Sequence, residues 1–217
     1  MGEIHILTKE QQVILDEVKR NKEFKQFYFT GGTALSECYL QHRYSEDLDF
    51  FSDKEIDTKK IFVIITNWSR QHKFTFTSEF QEVVYTFLLK FNNGRELKVD
   101  FGYYPYKQIE KPNEINGIKT DSLKDIAVNK LLTVTQRNTV KDFVDLYFLL
   151  QQFTVWDLIY GLEKKFKIRI EPFILASDFL KVEDFTFLPR MINSITLDEL
   201  KSFYRKRAQD LGKKSLK

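Results

Sequence analysis

Two glycines, Gly31 and Gly32, stand between a short run of apolar and aromatic residues and a segment with helical spacing. A strand that enters a helix through such a turn exposes backbone N–H groups at the start of the helix, where they can bind phosphate. Thr33 adds a hydroxyl donor at the same place. A Gly-Gly pair is more often a plain turn, so it indicates a nucleotide site only together with a second signal.

The second signal is an acidic pair, Asp47 and Asp49, at the start of a predicted strand over residues 47–51. Side chains two positions apart on a strand point to the same face, so these two carboxylates converge. Carboxylate oxygens suit Mg²⁺, which completes its coordination with waters and substrate phosphates. A pair of this kind also occurs at solvated strand ends, but its position one helix after the glycines favours a metal and nucleotide site.

A third acidic residue, Asp100, lies in the segment ELKVDFGYY, where apolar and polar residues alternate. If Val99 and Phe101 face the core, Asp100 lies on the opposite, accessible face of a strand. The alternative is an ordinary polar residue on the solvent face. Three carboxylates can hold two metal ions about 4 Å apart, one activating an attacking hydroxyl and the other stabilising a leaving pyrophosphate.

Alternating helices and strands must position these residues in the first half of the chain. Apolar residues recur at helical spacing over 8–21, 34–41 and 57–72. Strands are predicted at 26–32, 47–51, 74–78, 83–91 and 96–103. The sequence Asn92-Asn93-Gly94 predicts a tight hairpin, because Asn and Gly tolerate positive φ at both turn positions.

The second half of the chain reads as helical. Residues 104–119 hold two prolines and one glycine and are predicted to form the boundary between two domains. Helices are predicted beyond it at 122–134, 141–152, 155–166, 172–180 and 197–208. The predicted domains are residues 1–110, a core with an N-terminal helix, and residues 119–217, a helical region.

Five segments between residues 27 and 150 occur together in a specific order: GGTAL, HRYSEDLDFF, VDF, DIAVNKL and KDFVDLYFLL. In this order they resemble the AbiEii/AbiGii-type toxins, which are nucleotidyltransferase-like proteins with a DNA polymerase β-type fold. The resemblance implies an α+β fold, with a polymerase β-like mixed sheet, flanking helices and a C-terminal helical bundle that completes the active-site cleft.

The resemblance also implies which residues carry the reaction. Metal binding falls to Asp47, Asp49 and Asp100, with two Mg²⁺ ions expected, and catalysis involves these three together with Lys130 and Asp145. Asp142 precedes Asp145 by three positions and is therefore its neighbour on a helix. For Asp142, a salt bridge on a surface helix is favoured over a catalytic role.

The residues implied in nucleotide binding are Gly31, Gly32, Thr33, Arg43, Ser45, Lys130 and Lys141. Arg43 would donate charge-assisted hydrogen bonds to phosphate, and Ser45 would offer its hydroxyl. Arg43 could instead form a surface ion pair with Glu46 or Asp47. Lys141 could pair locally, which ranks it below Lys130.

The implied function is Mg²⁺-dependent transfer of a nucleotide from an NTP to an acceptor hydroxyl, with release of pyrophosphate. As a toxin of an abortive-infection or toxin–antitoxin system, it would modify tRNA or another RNA and be opposed by a separately encoded antitoxin. Two alternatives stay open. One is an inactive module that binds a nucleotide or RNA, and the other is a nucleotidyltransferase acting on a small molecule such as an antibiotic.

Composition excludes several other classes of protein. Hydrophobic residues make up 42% of the 217 residues and charged residues 30%, which supports a packed core and argues against wholesale disorder. The single cysteine, Cys38, can form neither an internal disulfide nor a metal cluster. The apolar runs fall well short of the ~20 residues of a membrane helix. Residues 1–7 lack the pattern of a secretory signal, so we expect a cytoplasmic protein that does not bind membranes.

The modest net charge of +3 conceals an uneven distribution. Residues 201–217 contain seven Lys or Arg and one Asp, so the preceding 200 residues are net acidic. A basic C-terminal segment suits contact with RNA, and a solvated chain end is the alternative.

Overall fold

A computed structural model of the chain describes residues 6–215, with side chains described as far as residue 213. Most of the segment predicted to lack a secretory signal, and the last two residues of the basic C-terminal segment, lie outside the described residues. The chain divides into two compact units. The first contains residues up to 39, 45–107 and 111–122, and the second contains 40–44, 108–110 and the residues from 123 onward.

The first unit is built on a seven-stranded mixed sheet in the order β3-β4-β5-β2-β1-β7-β6. The pairs β1–β7 and β2–β5 are parallel, and the other neighbours are antiparallel. The strands are β1 (Tyr28–Thr30), β2 (Leu48–Ser52), β3 (Phe74–Gln81), β4 (Val84–Phe91), β5 (Glu96–Tyr103), β6 (Asn113–Ile115) and β7 (Ile118–Thr120). This mixed sheet with helices confirms the predicted α+β fold class.

Three α-helices accompany the sheet, namely α1 (Lys9–Arg20), α2 (Gly31–Leu35) and α3 (Thr58–His72). Helix α1 begins at a capping box, in which the Thr8 and Gln11 side chains each bond the other residue's backbone N–H. A 3₁₀ turn at Lys22–Gln26 leads from α1 to β1. Helix α2 continues as one wide π-helical turn over Ser36–Leu40, which the sequence pattern did not distinguish from a regular helix.

Two Asn-Gly pairs form turns in different ways. Between β4 and β5 the predicted hairpin forms, but only Gly94 adopts positive φ, so the expectation of positive φ at both turn positions is wrong. Asn93 instead accepts a hydrogen bond from the Arg95 N–H and donates to Glu10. The two-residue turn with positive φ at both positions lies at Asn116-Gly117, between β6 and β7.

Phenylalanine rings pack on one face of the sheet. Phe29 and Phe50 are cross-strand partners on β1 and β2, and Phe50 is likewise paired with Phe101 on β5. The rings of Phe50 and Phe101 stack with centroids 5.4 Å apart, and Phe24 and Phe27 pack against Phe101 from the 3₁₀ turn and its end. Because side chains alternate across a strand, the residues next to these rings point to the opposite face.

The second unit is helical, as predicted. Helix α7 packs on α8, and α4 packs on both α5 and α6. The helices are α4 (Leu123–Gln136), α5 (Val140–Leu149), α6 (Val155–Phe166), α7 (Pro172–Leu180) and α8 (Leu197–Ser215). Among these and the other helices of the described chain, none is both long and apolar enough to cross a membrane.

The predicted boundary over 104–119 contains more structure than its composition suggested. Strands β6 and β7 extend the sheet beyond β1, and residues 111–122 belong to the first unit. Residues 108–110 and 40–44 belong to the second unit, although they lie within the predicted first domain.

Candidate active site

A row of polar side chains crosses the first unit's sheet on the face opposite the phenylalanines. Thr30 on β1 is paired with Asp49 on β2, Asp49 with Asp100 on β5, and Asp100 with Thr86 on β4. We call these four residues the polar row. The sheet register thus places two of the three predicted metal ligands side by side on neighbouring parallel strands.

Gly31 lies directly against the Asp49 carboxylate. Its φ is +75°, and a Cβ at this position would overlap Asp49 Oδ2 and crowd the carboxylate carbon. Both the backbone conformation and the lack of space therefore require glycine here. Gly31, the first glycine of the predicted turn, therefore places backbone without a side chain next to Asp49, one of the predicted metal ligands.

Thr33 is fully buried, and its hydroxyl donates a hydrogen bond to the backbone carbonyl of Asp47. This bond ties helix α2 to the residue that begins the approach to β2. The structure thus places the Thr33 hydroxyl inside the protein, where it positions the acidic pair, and leaves the backbone of Gly31 and Gly32 more accessible.

Hydrogen bonds from Gln11, on helix α1, hold the loop that carries Asp47. The Gln11 amide donates to the carbonyl oxygens of Ser45 (2.9 Å) and Glu46 (3.1 Å), while its own carbonyl accepts the Thr8 N–H. Gln11 is 1% exposed, so these bonds are sheltered from water. Gln11 was not singled out from the sequence, although it stands three positions after Thr8 in a Thr-x-x-Gln capping pattern.

Both oxygens of Asp100 have partners. Thr86 Oγ1 donates to Oδ1 at 2.7 Å, and the Lys98 ammonium donates to Oδ2 at 2.5 Å. Partial burial opposes the charged form of Lys98, but the bond to Asp100 and the nearby Asp49 and Asp47 charges raise its pKa above the ordinary value. The sequence offered a signal for Lys98, because it stands two positions before Asp100 on the same strand face.

The donor chemistry of this site fits a divalent cation. Asp47, Asp49 and Asp100 offer hard carboxylate oxygens of the kind that Mg²⁺ prefers, and the sheet register aligns two of them. Among the residues that the structure describes, no three His, Cys, Asp or Glu side chains are grouped closely enough to hold a metal ion. Binding of one ion by all three acids therefore requires side-chain movement.

The second unit contains a network of buried charges centred on Asp145, on α5. Its Oδ1 accepts bonds from His42 Nε2 (2.7 Å) and Arg43 Nε (2.6 Å), and its Oδ2 accepts one from Arg43 Nη2 (2.9 Å). The Lys130 ammonium on α4 lies 2.6 Å from the same Oδ2. We call this group, with Asp142 and Arg137, the buried ion network.

Asp142 is the second carboxylate of this network, and it is not the surface residue favoured from the sequence. It is 1% exposed, with Lys130 Nζ 2.8 Å from Oδ1 and Arg137 Nε 2.8 Å from Oδ2. Lys130 therefore bridges the carboxylates of Asp142 and Asp145, which lie on one face of α5. An ammonium has three N–H donors, so one remains after these two contacts.

Electrostatics fix the charge states in the buried ion network. Burial opposes ionisation of Asp145, but the charges of Lys130 and Arg43 hold the pKa of its carboxyl well below the usual range. Burial alone would lower the pKa of Lys130, but the Asp145 and Asp142 carboxylates raise it. Both partners are thus charged at neutral pH, as a buried pair must be to avoid an uncompensated charge.

Two further residues predicted to bind the nucleotide, Arg43 and Lys141, differ in their exposure to solvent. Arg43 is 2% exposed, and its guanidinium bonds Asp145 and the Tyr44 carbonyl, so it is a buried ion-pair partner of Asp145 and not a surface residue. Lys141 is exposed on α5. His42 is fully buried against Asp145.

Three comparisons with known proteins bear on identity. Residues 13–211 match the family model described as nucleotidyl transferase AbiEii toxin, type IV TA system. An uncharacterised protein of Aquifex aeolicus strain VF5 is 35% identical over 184 residues, covering 82% of this chain and 84% of that protein.

Two solved structures share the fold. JHP933 from Helicobacter pylori is 23% identical with a TM-score of 0.60, covering 96% of this chain and 94% of that one. The nucleotidyltransferase toxin MenT4 from Mycobacterium tuberculosis H37Rv is 16% identical with a TM-score of 0.55, covering 92% and 82%. With the family match spanning nearly all of both units, the chain belongs to the AbiEii nucleotidyltransferase toxin family.

Proposed function

We propose that the polar row is the catalytic centre of a Mg²⁺-dependent transfer of a nucleotide from an NTP to a hydroxyl of RNA, with tRNA as the foremost acceptor. One observation carries the proposal. Asp49 and Asp100 stand side by side on parallel strands, and the backbone of Gly31 is pressed against the first of them. Two of the proposed metal ligands and the proposed nucleotide-binding turn therefore lie next to each other.

Asp47, Asp49 and Asp100 would hold the metal ions, of which we expect two. When bound, Mg²⁺ neutralises the phosphate charge and favours deprotonation of the attacking hydroxyl. The protein's own residues contribute by holding the carboxylates in position. Gln11 fixes the loop before Asp47, the Thr33 hydroxyl holds the Asp47 carbonyl, and Thr86 orients Asp100.

The triphosphate would be bound by main-chain and lysine donors. Gly31 and Gly32 are both partly exposed, and Gly31 lies against Asp49. Their backbone N–H groups would bind phosphate oxygens, as the family resemblance implies. Lys130 keeps one N–H donor and a positive charge that Asp142 and Asp145 stabilise, which suits it to a phosphate oxygen. Asp145 would then act by orienting Lys130, and Arg43 by orienting Asp145.

In the proposed reaction, the acceptor hydroxyl oxygen forms a bond to the α-phosphorus of the NTP. The bond from that phosphorus to the bridging oxygen breaks, and pyrophosphate leaves. Asp100 is the carboxylate assigned to the acceptor hydroxyl, and it takes up the hydroxyl proton. Most of the rate enhancement would come from positioning and charge neutralisation.

RNA is favoured as the acceptor by the basic C-terminal segment, residues 201–217, and by membership of a toxin family. Residues 201–217 hold seven Lys or Arg and one Asp, which suits a polyanion. We further propose that modification of RNA in the cytoplasm stops growth, and that a separately encoded antitoxin relieves the arrest.

The acceptor is tested by incubating the protein with each α-labelled NTP in turn, with and without total tRNA, in Mg²⁺ or in EDTA. Label that enters tRNA only when Mg²⁺ is present supports the proposal. Label transferred to aminoglycosides or other small hydroxyl compounds but not to RNA would support a small-molecule enzyme instead. NTP binding without transfer to any acceptor would indicate an inactive binding module.

A further inference from the structure

Lys98 lies among the three predicted cation ligands. It precedes Asp100 by two positions on β5, so both side chains stand on the same face of the sheet. Its ammonium contacts Asp100 Oδ2 at 2.5 Å and also interacts electrostatically with Asp49 and Asp47. Lys98 is thus ion-paired with Asp100 and close enough to Asp49 and Asp47 to interact with their charges.

This pairing restricts how Asp100 can bind a metal ion. Oδ1 accepts the Thr86 hydroxyl and Oδ2 accepts the Lys98 ammonium, so each oxygen already has a donor. A cation held by all three acids needs at least one of these oxygens. The Lys98 side chain is 41% exposed and flexible, so its ammonium can withdraw more easily than the Thr86 hydroxyl, which is attached directly to a strand.

We infer that Lys98 is a positioning residue that competes with the divalent cation for Asp100, so that cation binding requires the ammonium to leave Oδ2. The inference rests on the proposed function, since it concerns the cation which that function requires.

The test is a calorimetric titration of the full chain with Mn²⁺, a Mg²⁺ substitute, for wild type, Lys98→Met and Lys98→Arg. Removing a charged hydrogen bond that must be broken on binding should tighten the Mn²⁺ dissociation constant about tenfold in Lys98→Met. Lys98→Arg keeps the charge and should stay near wild type. The matched control is Lys90→Met, because Lys90 lies on β4 and pairs with Glu96 at 3.7 Å.

A second measurement locates the effect. In an Asp100→Asn background, Lys98→Met should tighten Mn²⁺ binding much less, because the contested oxygen is gone and only the interactions of Lys98 with Asp49 and Asp47 remain. Thermal unfolding of each variant checks that it is folded.

The outcomes separate the inference from the proposed function. Mn²⁺ binding by Lys98→Met that equals or falls below wild type would overturn the inference while leaving a metal-dependent enzyme intact. An undiminished gain in the Asp100→Asn background would also overturn it, since Lys98 would then act elsewhere. If neither wild type nor any variant binds Mn²⁺, the metal-dependent function fails as well.

Discussion

Gly31 and Asp49 are in direct contact, because the Asp49 carboxylate occupies the space that a side chain at position 31 would need. The contact joins the start of α2 to the middle of the sheet. It explains in physical terms why a glycine that follows a strand and an aspartate that lies 18 positions later form one site.

Gly31→Ala should therefore damage both folding and activity. A methyl group would strain a residue at φ +75° and displace the Asp49 carboxylate. We expect a loss of about 1–3 kcal/mol in the free energy of unfolding and a loss of nucleotide transfer of at least about 100-fold. Urea denaturation and a transfer assay measure the two effects.

Gly94→Ala is the matched control for this substitution. Gly94 has φ +80° but nothing within 4 Å of an added Cβ, so only the backbone strain applies. Its transfer activity should remain near wild type. Equal activity of the two alanine variants would show that the contact between Gly31 and Asp49 does not matter for the reaction.

Gln11→Ala should impair the site from a distance. It removes half of the capping box of α1 and both side-chain bonds that hold the Ser45 and Glu46 carbonyls. The expected cost is about 1–2 kcal/mol in the free energy of unfolding, with reduced transfer because the Asp47 loop loses its support.

Gln12→Ala provides the comparison for Gln11. Gln12 lies on the exposed side of α1, where it bonds Asp16. It should change stability by less than about 0.5 kcal/mol and leave transfer unchanged. If Gln11→Ala behaves in the same way, the loop is held by other contacts.

The buried ion network should make stability depend on pH in the acid range. The pKa of Asp145 is lower in the folded protein than in the unfolded chain, so the stabilisation is complete above the unfolded value of about 3.9. It is lost as the pH falls from there through the lower folded value. The measurement is the free energy of unfolding in urea between pH 7 and pH 2.

Asp145→Asn should remove this component of the pH dependence. It should also cost about 3–5 kcal/mol at pH 7, because Arg43 and Lys130 lose a buried counter-charge. Asp16→Asn, at a partly exposed position on α1 outside the buried ion network, should preserve the wild-type profile. An Asp145→Asn profile parallel to that of wild type down to pH 2 would contradict the electrostatic account.

Periodicity and turn chemistry predicted much of the fold. The bounds of β5, α6 and α7 agree with the sequence pattern, because their alternation or helical spacing is regular and their ends carry clear signals. The hairpin of β6 and β7 was missed, although Asn116-Gly117 is a strong signal for such a turn. Its strands have only three residues each, too few for alternation to be recognised, and the prolines nearby favoured a linker.

The residues of the site likewise include some that the sequence could predict and others that it could not. Asp49 and Asp100 could be predicted because each lies on a strand with alternating polarity, and the register then aligned them. The partners of Asp145 could not, since His42 and Arg43 are about a hundred residues away and no local pattern encodes that contact. The same limit explains why the ion pair of Arg43 with Asp145 was not foreseen and why Asp142 was predicted to be exposed.

The central claim is that the carboxylates of the polar row catalyse nucleotide transfer. The most direct test compares wild type, Asp49→Asn and Asp53→Asn for transfer of label from an α-labelled NTP to tRNA in the presence of Mg²⁺. Asp53 follows β2 and is exposed, so Asp53→Asn makes the same chemical change at a position outside the polar row. The account predicts that Asp49→Asn loses at least about 1,000-fold in rate while Asp53→Asn retains it. Wild-type transfer by Asp49→Asn, in a variant shown to be folded, would contradict the account.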